Sequence, residues 1–405
     1  MTEAQAANEP PTRGPRNAKP AATFLDRINR SGIAGVPPGG LESPQPARLP
    51  DRAAISERVW AEVDYIASLT SASPDRDAVD ALIAAGSDGL DRLNAQGGEA
   101  DLYPAHLAGL EAVIRTDGTR PVLFVRGDAV DTTQPSLIGS GLEAEIGDIE
   151  GAIQRVCKAT GRVNDPDPRA TLGYQGTAFV VGAGLVMTNR HVLKEITRER
   201  NPDRGTLKEG ITINFGHEIG ATRLANVCRV TEIKFRGRAG QGEFLSSDIG
   251  LNFDELDIAV LAIEPGDRGM PEPLLLPRGD GGAAFAVKGR RTFLVGYPGN
   301  TAGLTSDIFD RVFGGVKSFK RFAPGVIVEP AGDPAIALDP DSWTLTHDAS
   351  TLGGNSGSPI CDRESGGSPL LGIHFAGMPD RRNWGHGFET LGAALAGVKG
   401  INFAS

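Results

Sequence analysis

Cysteine is scarce in this 405-residue chain: Cys157, Cys228 and Cys361 are all there are. An odd, widely spaced set argues against a disulfide framework and for a reducing compartment. Without CxxC or Cys/His spacing it also offers no metal site. No stretch approaches the roughly 18–20 apolar residues that span a bilayer. The first twenty residues, MTEAQAANEPPTRGPRNAKP, are polar and proline-rich where a secretory signal needs an apolar run of about 7–15 residues. A concentrated Lys/Arg stripe is missing too, and the formal net charge is −10. Nucleic acid and anionic membrane are therefore not expected as partners. The expectation is a cytoplasmic protein without cofactor or metal.

What the chain has in abundance is glycine, 54 residues, with 28 prolines, which favours many turns and short strands in at least part of it. Its length suggests two folded units plus tails. Residues 1–50 read as a disordered Pro-rich tail. Over 51–117 the pattern becomes helical, with Ile55, Val59, Val63 and Ile66 recurring every three to four positions. Ser73-Pro74 reads as a cap and first helical residue, and Gly86 as a helix stop. Further apolar pieces at Leu90–Leu93 and Leu107–Ile114 complete an expected bundle of three or four helices. Residues 118–165 read as a strand, RPVLFVRGDAV, and a helix opened by the S-x-x-E spacing of Ser140 and Glu143. That helix carries Ile146, Ile149, Ile153 and Val156 on one face, which suits a brace against the next unit.

From about residue 166 to 405 the texture is β. TAFVV, LVMTN, ITINF, DIAVLAI, TFLVGY, GVIVE, SWTLT and PLLGIHF are short apolar runs bounded by Gly, Pro, Asp or Asn. Three segments among them carry chemistry. Thr351-Leu-Gly-Gly-Asn-Ser-Gly-Ser-Pro359 places Ser356 after two glycines, where backbone N–H groups can turn inward around a nucleophile. Thr188-Asn-Arg-His191-Val delivers a histidine at the end of a strand. Asp257 heads an apolar strand, where a buried carboxylate needs a partner such as imidazole. The order His, Asp, Ser excludes an α/β-hydrolase, which would need its acid and histidine after the serine. Asp248 and Asp254 are rival acids, but only Asp257 leads directly into the long apolar run.

Taken together, GTAFVV, TNRHV, DIAVL, VGYPG and GGNSGSP resemble the trypsin-like serine peptidases, nearer to their bacterial HtrA-type and glutamyl endopeptidase branches. The resemblance covers about 170–405. It implies a mainly β fold of two perpendicular six-stranded β-barrels, chymotrypsin-like, preceded here by the small α-helical region. It also implies His191 as general base, Asp257 as its orienting acid and Ser356 as nucleophile, with Gly354 and Ser356 forming the oxyanion hole. The implied activity is that of a serine endopeptidase acting on protein substrates through an acyl-enzyme, in a bacterial signalling or defence setting.

Departures from the family narrow the expectation. Val192 replaces the disulfide-forming cysteine of secreted animal members, and Asn355 replaces the Asp that binds a freshly cut N-terminus. Ser350, six residues before Ser356, cannot supply the charge that selects Lys or Arg. Gly372-Ile-His374-Phe375-Ala-Gly377 resembles the strand lining the specificity pocket, so His374, Ser350, Thr351, Phe375 and Gly377 are candidate substrate-binding residues. His374 suggests cleavage after Glu or Gln. His347 and His386 read as structural, and residues 51–117 as a site for a regulatory partner. The rival from another class is an inactive or catalytically incidental protease fold that serves as a binding module; an esterase on the same fold is a further alternative.

Overall fold

The computed structural model describes residues 20–31 and 51–404 apart from short internal stretches, the longest being 300–310 and 279–285. Two closed antiparallel barrels of six strands form its β-rich part. The first consists of β3 (Thr160–Asn164), β4 (Tyr174–Gly182), β5 (Leu185–Thr188), β6 (Thr212–Asn214), β7 (Val227–Arg236) and β8 (Ala259–Glu264), in the order β3-β4-β5-β8-β7-β6. Closure is made by β3 with β6, through Arg162↔Asn214 and its neighbours.

The second barrel contains β9 (Arg291–Gly296), β10 (Arg321–Glu329), β11 (Thr344–His347), β12 (Pro359–Asp362), β13 (Leu370–Gly377) and β14 (Asn383–Gly387). Its ring is β10-β11-β14-β13-β12-β9, and the β10–β11 pairing closes it at Ile327↔His347. Barrel closure satisfies strand edges that would otherwise stay open. The interiors are dense with fully buried Val, Ile, Leu and Phe, among them Phe179, Val181, Val186, Phe293, Leu294 and Ile360.

The described residues ahead of the hairpin and the barrels form helices α1 (Pro20–Ser31), α2 (Arg52–Thr70), α3 (Arg76–Gln96) and α4 (Pro104–Thr116). Helix α1 falls within the stretch expected to be a disordered tail. It is kept in place by burial, since Ala21 and Phe24 are fully enclosed with Val59, Leu93 and Leu110. The expected stop at Gly86 is also corrected: α3 starts after its cap Asp75, whose side chain accepts from Ala78 N–H, and runs straight through Gly86. The glycine is there for packing. A side chain on Gly109 of α4 would overlap the Gly86 backbone, so the pair lets two helices cross at close range.

The segment RPVLFVRGDAV is a hairpin rather than one strand, β1 (Leu123–Arg126) and β2 (Ala129–Val130). Gly127 and Asp128 both have positive φ, 62° and 67°, as a tight two-residue turn requires. Strand β1 adds to β10 with Leu123 opposite Phe322. The helix expected after Ser140 is broken at Ile149 into α5 (Leu142–Asp148) and α6 (Glu150–Ala159). The Ser140 hydroxyl accepts from Leu142 N–H, and the cap position belongs to Gly141, so the S-x-x-E box does not form as read. Ile146, Ile153 and Val156 still face the common core.

Candidate active site

Strand β5 ends at Thr188, and Asn189 stands at the N-cap position of the short helix α7 (Arg190–Glu195) without a side-chain capping bond; the helix carries His191 in its first turn. Asp257 stands just before β8. One of its carboxylate oxygens accepts from the His191 main-chain N–H at 2.8 Å, and the other lies 2.6 Å from His191 Nδ1. Its carbonyl accepts from Asn189 Nδ2 at 2.8 Å and its N–H donates to His386 Nε2 at 3.0 Å. Every polar atom of Asp257 is thus engaged.

Desolvation pulls the His191 pKa down, but the charge and hydrogen bond of Asp257, with Glu255 and Glu195 beyond, outweigh it and hold the imidazole above 6.5. For Asp257 burial pushes upward, and the neighbouring His191 keeps the carboxyl below 3.8. Each group favours the charged form of the other.

The Ser356 loop is pinned to the first barrel through Thr177 of β4. Thr177 N–H donates to the Ser356 carbonyl at 2.8 Å, and Thr177 Oγ1 donates to the Gly354 carbonyl at 2.9 Å. Thr188 Oγ1 in turn donates to the Thr177 carbonyl at 2.7 Å, which ties the loop to the end of the strand that delivers His191. Gly176 lies between the two: a Cβ there would fall 2.7 Å from Val192 Cγ2 and 2.9 Å from the Ser356 carbonyl oxygen. Ser356 therefore sits across a single backbone from the residue that follows His191. Gly354 has φ 101° and Gly357 φ 88°, conformations that L side chains rarely adopt.

On the other side of the loop, Gly357 N–H donates to the His374 carbonyl and His374 N–H to the Ser358 carbonyl, both at 2.9 Å. The His374 side chain is buried, with Nδ1 3.1 Å from Nε2 of fully buried His347. Burial first, then His347 and His191, push His374 well below 6.5; burial takes His347 down to about 3. Thr351 Oγ1 donates to Asn383 Oδ1, and Asn383 Nδ2 donates to the Ala349 carbonyl at 2.7 Å. A Cβ on Gly377 would come 2.9 Å from Thr351 Oγ1, so Thr351, Gly377 and Asn383 form one wall. Ser350 is buried next to it. Phe375 stacks on His386 with ring centroids 4.5 Å apart.

Of the rival acids, Asp254 is buried but bound to Arg238 and to the Gln241 N–H, away from His191. Asp248 lies outside the described residues. Thr177, Asn189, Asn383 and the His347–His374 and His386–Asp257 contacts are features of the site that sequence reasoning missed. The threonine of GTAFVV and the asparagine of TNRHV were the local signals among them.

Residues 176–373 match the trypsin-like peptidase domain family. Over that span the chain is a trypsin-like peptidase domain. A Lysobacter enzymogenes protein described as a probable serine protease is 28% identical over 364 residues, 83% of this chain and 88% of that protein. Among solved structures, the active form of the Rv3671c protease from M. tuberculosis has 18% identity, 63% coverage of this chain and 86% of its own, with a TM-score of 0.35. A Glu endopeptidase bound to MPD has 16% identity, 60% and 93% coverage, and a TM-score of 0.38. As a trypsin-like peptidase the chain is a serine endopeptidase, an enzyme that acts on protein substrates. No described helix is long and apolar enough to cross a membrane.

Proposed function

We propose that this peptidase cleaves its substrates through a Ser356–His191–Asp257 triad and an acyl-enzyme at Ser356. The observation that carries the reading is the double hold of Asp257 on His191, at 2.8 and 2.6 Å, beside a serine loop pinned by Thr177. Asp257 keeps the Nδ1–H tautomer, which leaves Nε2 as the base that takes the Ser356 proton and returns it to the leaving amine. Gly354 and Ser356 N–H groups would receive the developing oxyanion. The inactive binding-module reading loses ground because His191, raised in pKa by its acid, is tuned as a base is.

The pocket wall of Thr351, Gly377 and Asn383, with Ser350, Phe375 and His374, supports selection of Glu or Gln before the cut. If His347 donates from Nε2 to His374 Nδ1, the remaining His374 N–H is a neutral donor suited to either side chain. Residues 51–117 are proposed to bear on activity through the segment after β9, since Phe313 packs on the bundle core and Val316 beside Ile66. A reducing, bacterial setting fits three free, buried cysteines and the Lysobacter relative.

Ser356→Ala should abolish fluorophosphonate labelling and peptide hydrolysis with the fold intact by circular dichroism. Asp257→Asn should slow both labelling and hydrolysis, with kcat lower by about 10⁴, because the imidazole is held in the wrong tautomer. Residual hydrolysis at the original rate in Ser356→Ala would remove the assignment.

A further inference from the structure

We propose that His386 is a positioning residue of the reaction, a neutral imidazole of the second barrel that fixes the main chain of Asp257 in the first. The proposal rests on the triad reading above and adds a fourth member that does not touch substrate. His386 lies on β14, with register partners Thr344 on β11 and Ile373 on β13. Its side chain leaves that barrel to meet residue 257 of the other, 129 positions away in sequence.

Chemistry assigns the tautomer. The main-chain N–H of Asp257 can only donate, so Nε2 of His386, at 3.0 Å, accepts. The ring proton must then sit on Nδ1, which is buried with no hydrogen-bond partner among the described residues. A ring that leaves one N–H unpaired in the interior is costly for the fold. A phenylalanine would stack on Phe375 as well and carry no such cost. What it could not supply is an acceptor for Asp257 N–H, and that is the one polar service His386 performs.

The consequence falls on the acid. The carboxylate of Asp257 is directed at His191 by contacts at both ends of its residue: Asn189 on the carbonyl and His386 on the N–H. Removing the second releases the backbone from which the carboxylate hangs, and misplacement of a catalytic group by about 1 Å can cost ~100-fold. Neutrality is part of the role, because a protonated His386 would turn a second donor on the Asp257 N–H. Burial holds its pKa down at about 4 although the Asp257 charge acts in the other direction. His386 therefore stays neutral where His191 titrates. The charged and titratable groups acting on His191 are Asp257, Glu255 and Glu195, which raise it, and buried His374.

Two measurements on the full chain test this. In wild-type protein carrying [15N]histidine, NMR at neutral pH should show one imidazole in the Nδ1–H form whose signals vanish in His386→Gln. An Nε2–H form for that ring overturns the proposal without any variant having to be active. In kinetics, His386→Phe should lower kcat/KM by about 10–100-fold and move its acid limb to lower pH, because His191 loses a well-placed counter-ion. His386→Gln, whose side-chain oxygen reaches the same place, should restore both rate and limb. Equal losses in both variants with an unmoved limb would mean a packing role and overturn the proposal. Activity persisting in Ser356→Ala would instead strike the triad reading, leaving the tautomer result to stand by itself.

Discussion

A methyl group added at Gly354 tests whether the shape of the serine loop is what sets the oxyanion donors. Gly354 adopts φ 101°, and a Cβ there would fall 2.5 Å from the Tyr297 carbonyl oxygen and 2.6 Å from the Tyr174 hydroxyl. Neither atom can yield easily: the Tyr174 hydroxyl donates to that same carbonyl at 2.9 Å, and Tyr297 N–H donates to Thr177 Oγ1 at 3.2 Å. Tyr297 is itself fully buried. The loop must rotate instead, and Thr177 holds the Gly354 carbonyl, so the Gly354 N–H is what swings away. Backbone strain at such a position costs about 1–3 kcal/mol of stability. Loss of one oxyanion donor costs about 10²–10³ in kcat, roughly 2.7–4 kcal/mol of barrier. Gly354→Ala should therefore fold with a lowered Tm, and its Ser356 should be phosphonylated by a fluorophosphonate and acylated by a peptide more slowly by those factors. Adding Tyr174→Phe removes one of the two obstructing atoms, so the double variant should regain part of the rate but stay below wild type. A Gly354→Ala protein with unchanged melting and unchanged acylation would refute the assignment of this loop as the oxyanion site.

Two further outcomes follow. His374 is held well below 6.5 by burial and by its neighbours His347 and His191, so it gains charge only when pH falls through that low value. The ratio of kcat/KM for Glu over Gln substrates should then be flat from about pH 6 to 8 and rise only in acid, and His374→Ala should flatten the discrimination more than it slows a small apolar substrate. A ratio that falls steeply across neutral pH would show a pocket histidine that is not depressed. A chain beginning at residue 118 should melt at lower temperature than the whole protein, because it uncovers buried Phe124 and Arg321 and removes Glu62 from Gln134 and Ser136. Equal melting temperatures would show that the helices are an independent appendage.

The residues of the proposed triad stand out in the sequence because each sits in a local pattern set by its chemistry: glycines that open the backbone around Ser356, a strand end at His191, a lone acid ahead of an apolar strand at Asp257. The strands that were missed lack such patterns. VCRVTEIKFR forms β7, but one face is turned to solvent and filled with Arg, Glu and Lys, which reads as a polar connection. NWGHG forms β14 with glycines that weaken any local strand preference, and barrel closure supplies what propensity does not. Gly86 was misread because a helix stop and a close helix crossing leave the same residue in the sequence. His386 and Asp257 are joined only by the fold, so no spacing between them announces the contact.

The helical region is likewise less separate than its composition suggests. Glu62 of α2 is buried and accepts from Gln134 Nε2 at 2.6 Å and from Ser136 N–H at 3.3 Å, both in the chain that leads into the barrels. Arg120 makes a two-pronged pair with Asp348, at 3.1 and 2.7 Å, two residues before Ser350 in the proposed pocket. Arg321 of β10 lies over the Phe124 ring and is pushed well below its ordinary pKa by burial, with Glu62 as the opposing charge. Its guanidinium donates to the Val316 carbonyl, and loss of Glu62 would remove the charge that opposes its burial. Beside it, Val316 packs with Ile66 of α2, Ser318 N–H donates to the Pro298 carbonyl, and Gly299 N–H donates to the Gly353 carbonyl, both at 2.8 Å. Gly353 adjoins the proposed oxyanion residue. A displacement of α2 would thus be felt first at Val316 and Arg321 and would reach Gly354 through two main-chain hydrogen bonds, with no need for a partner to enter the cleft.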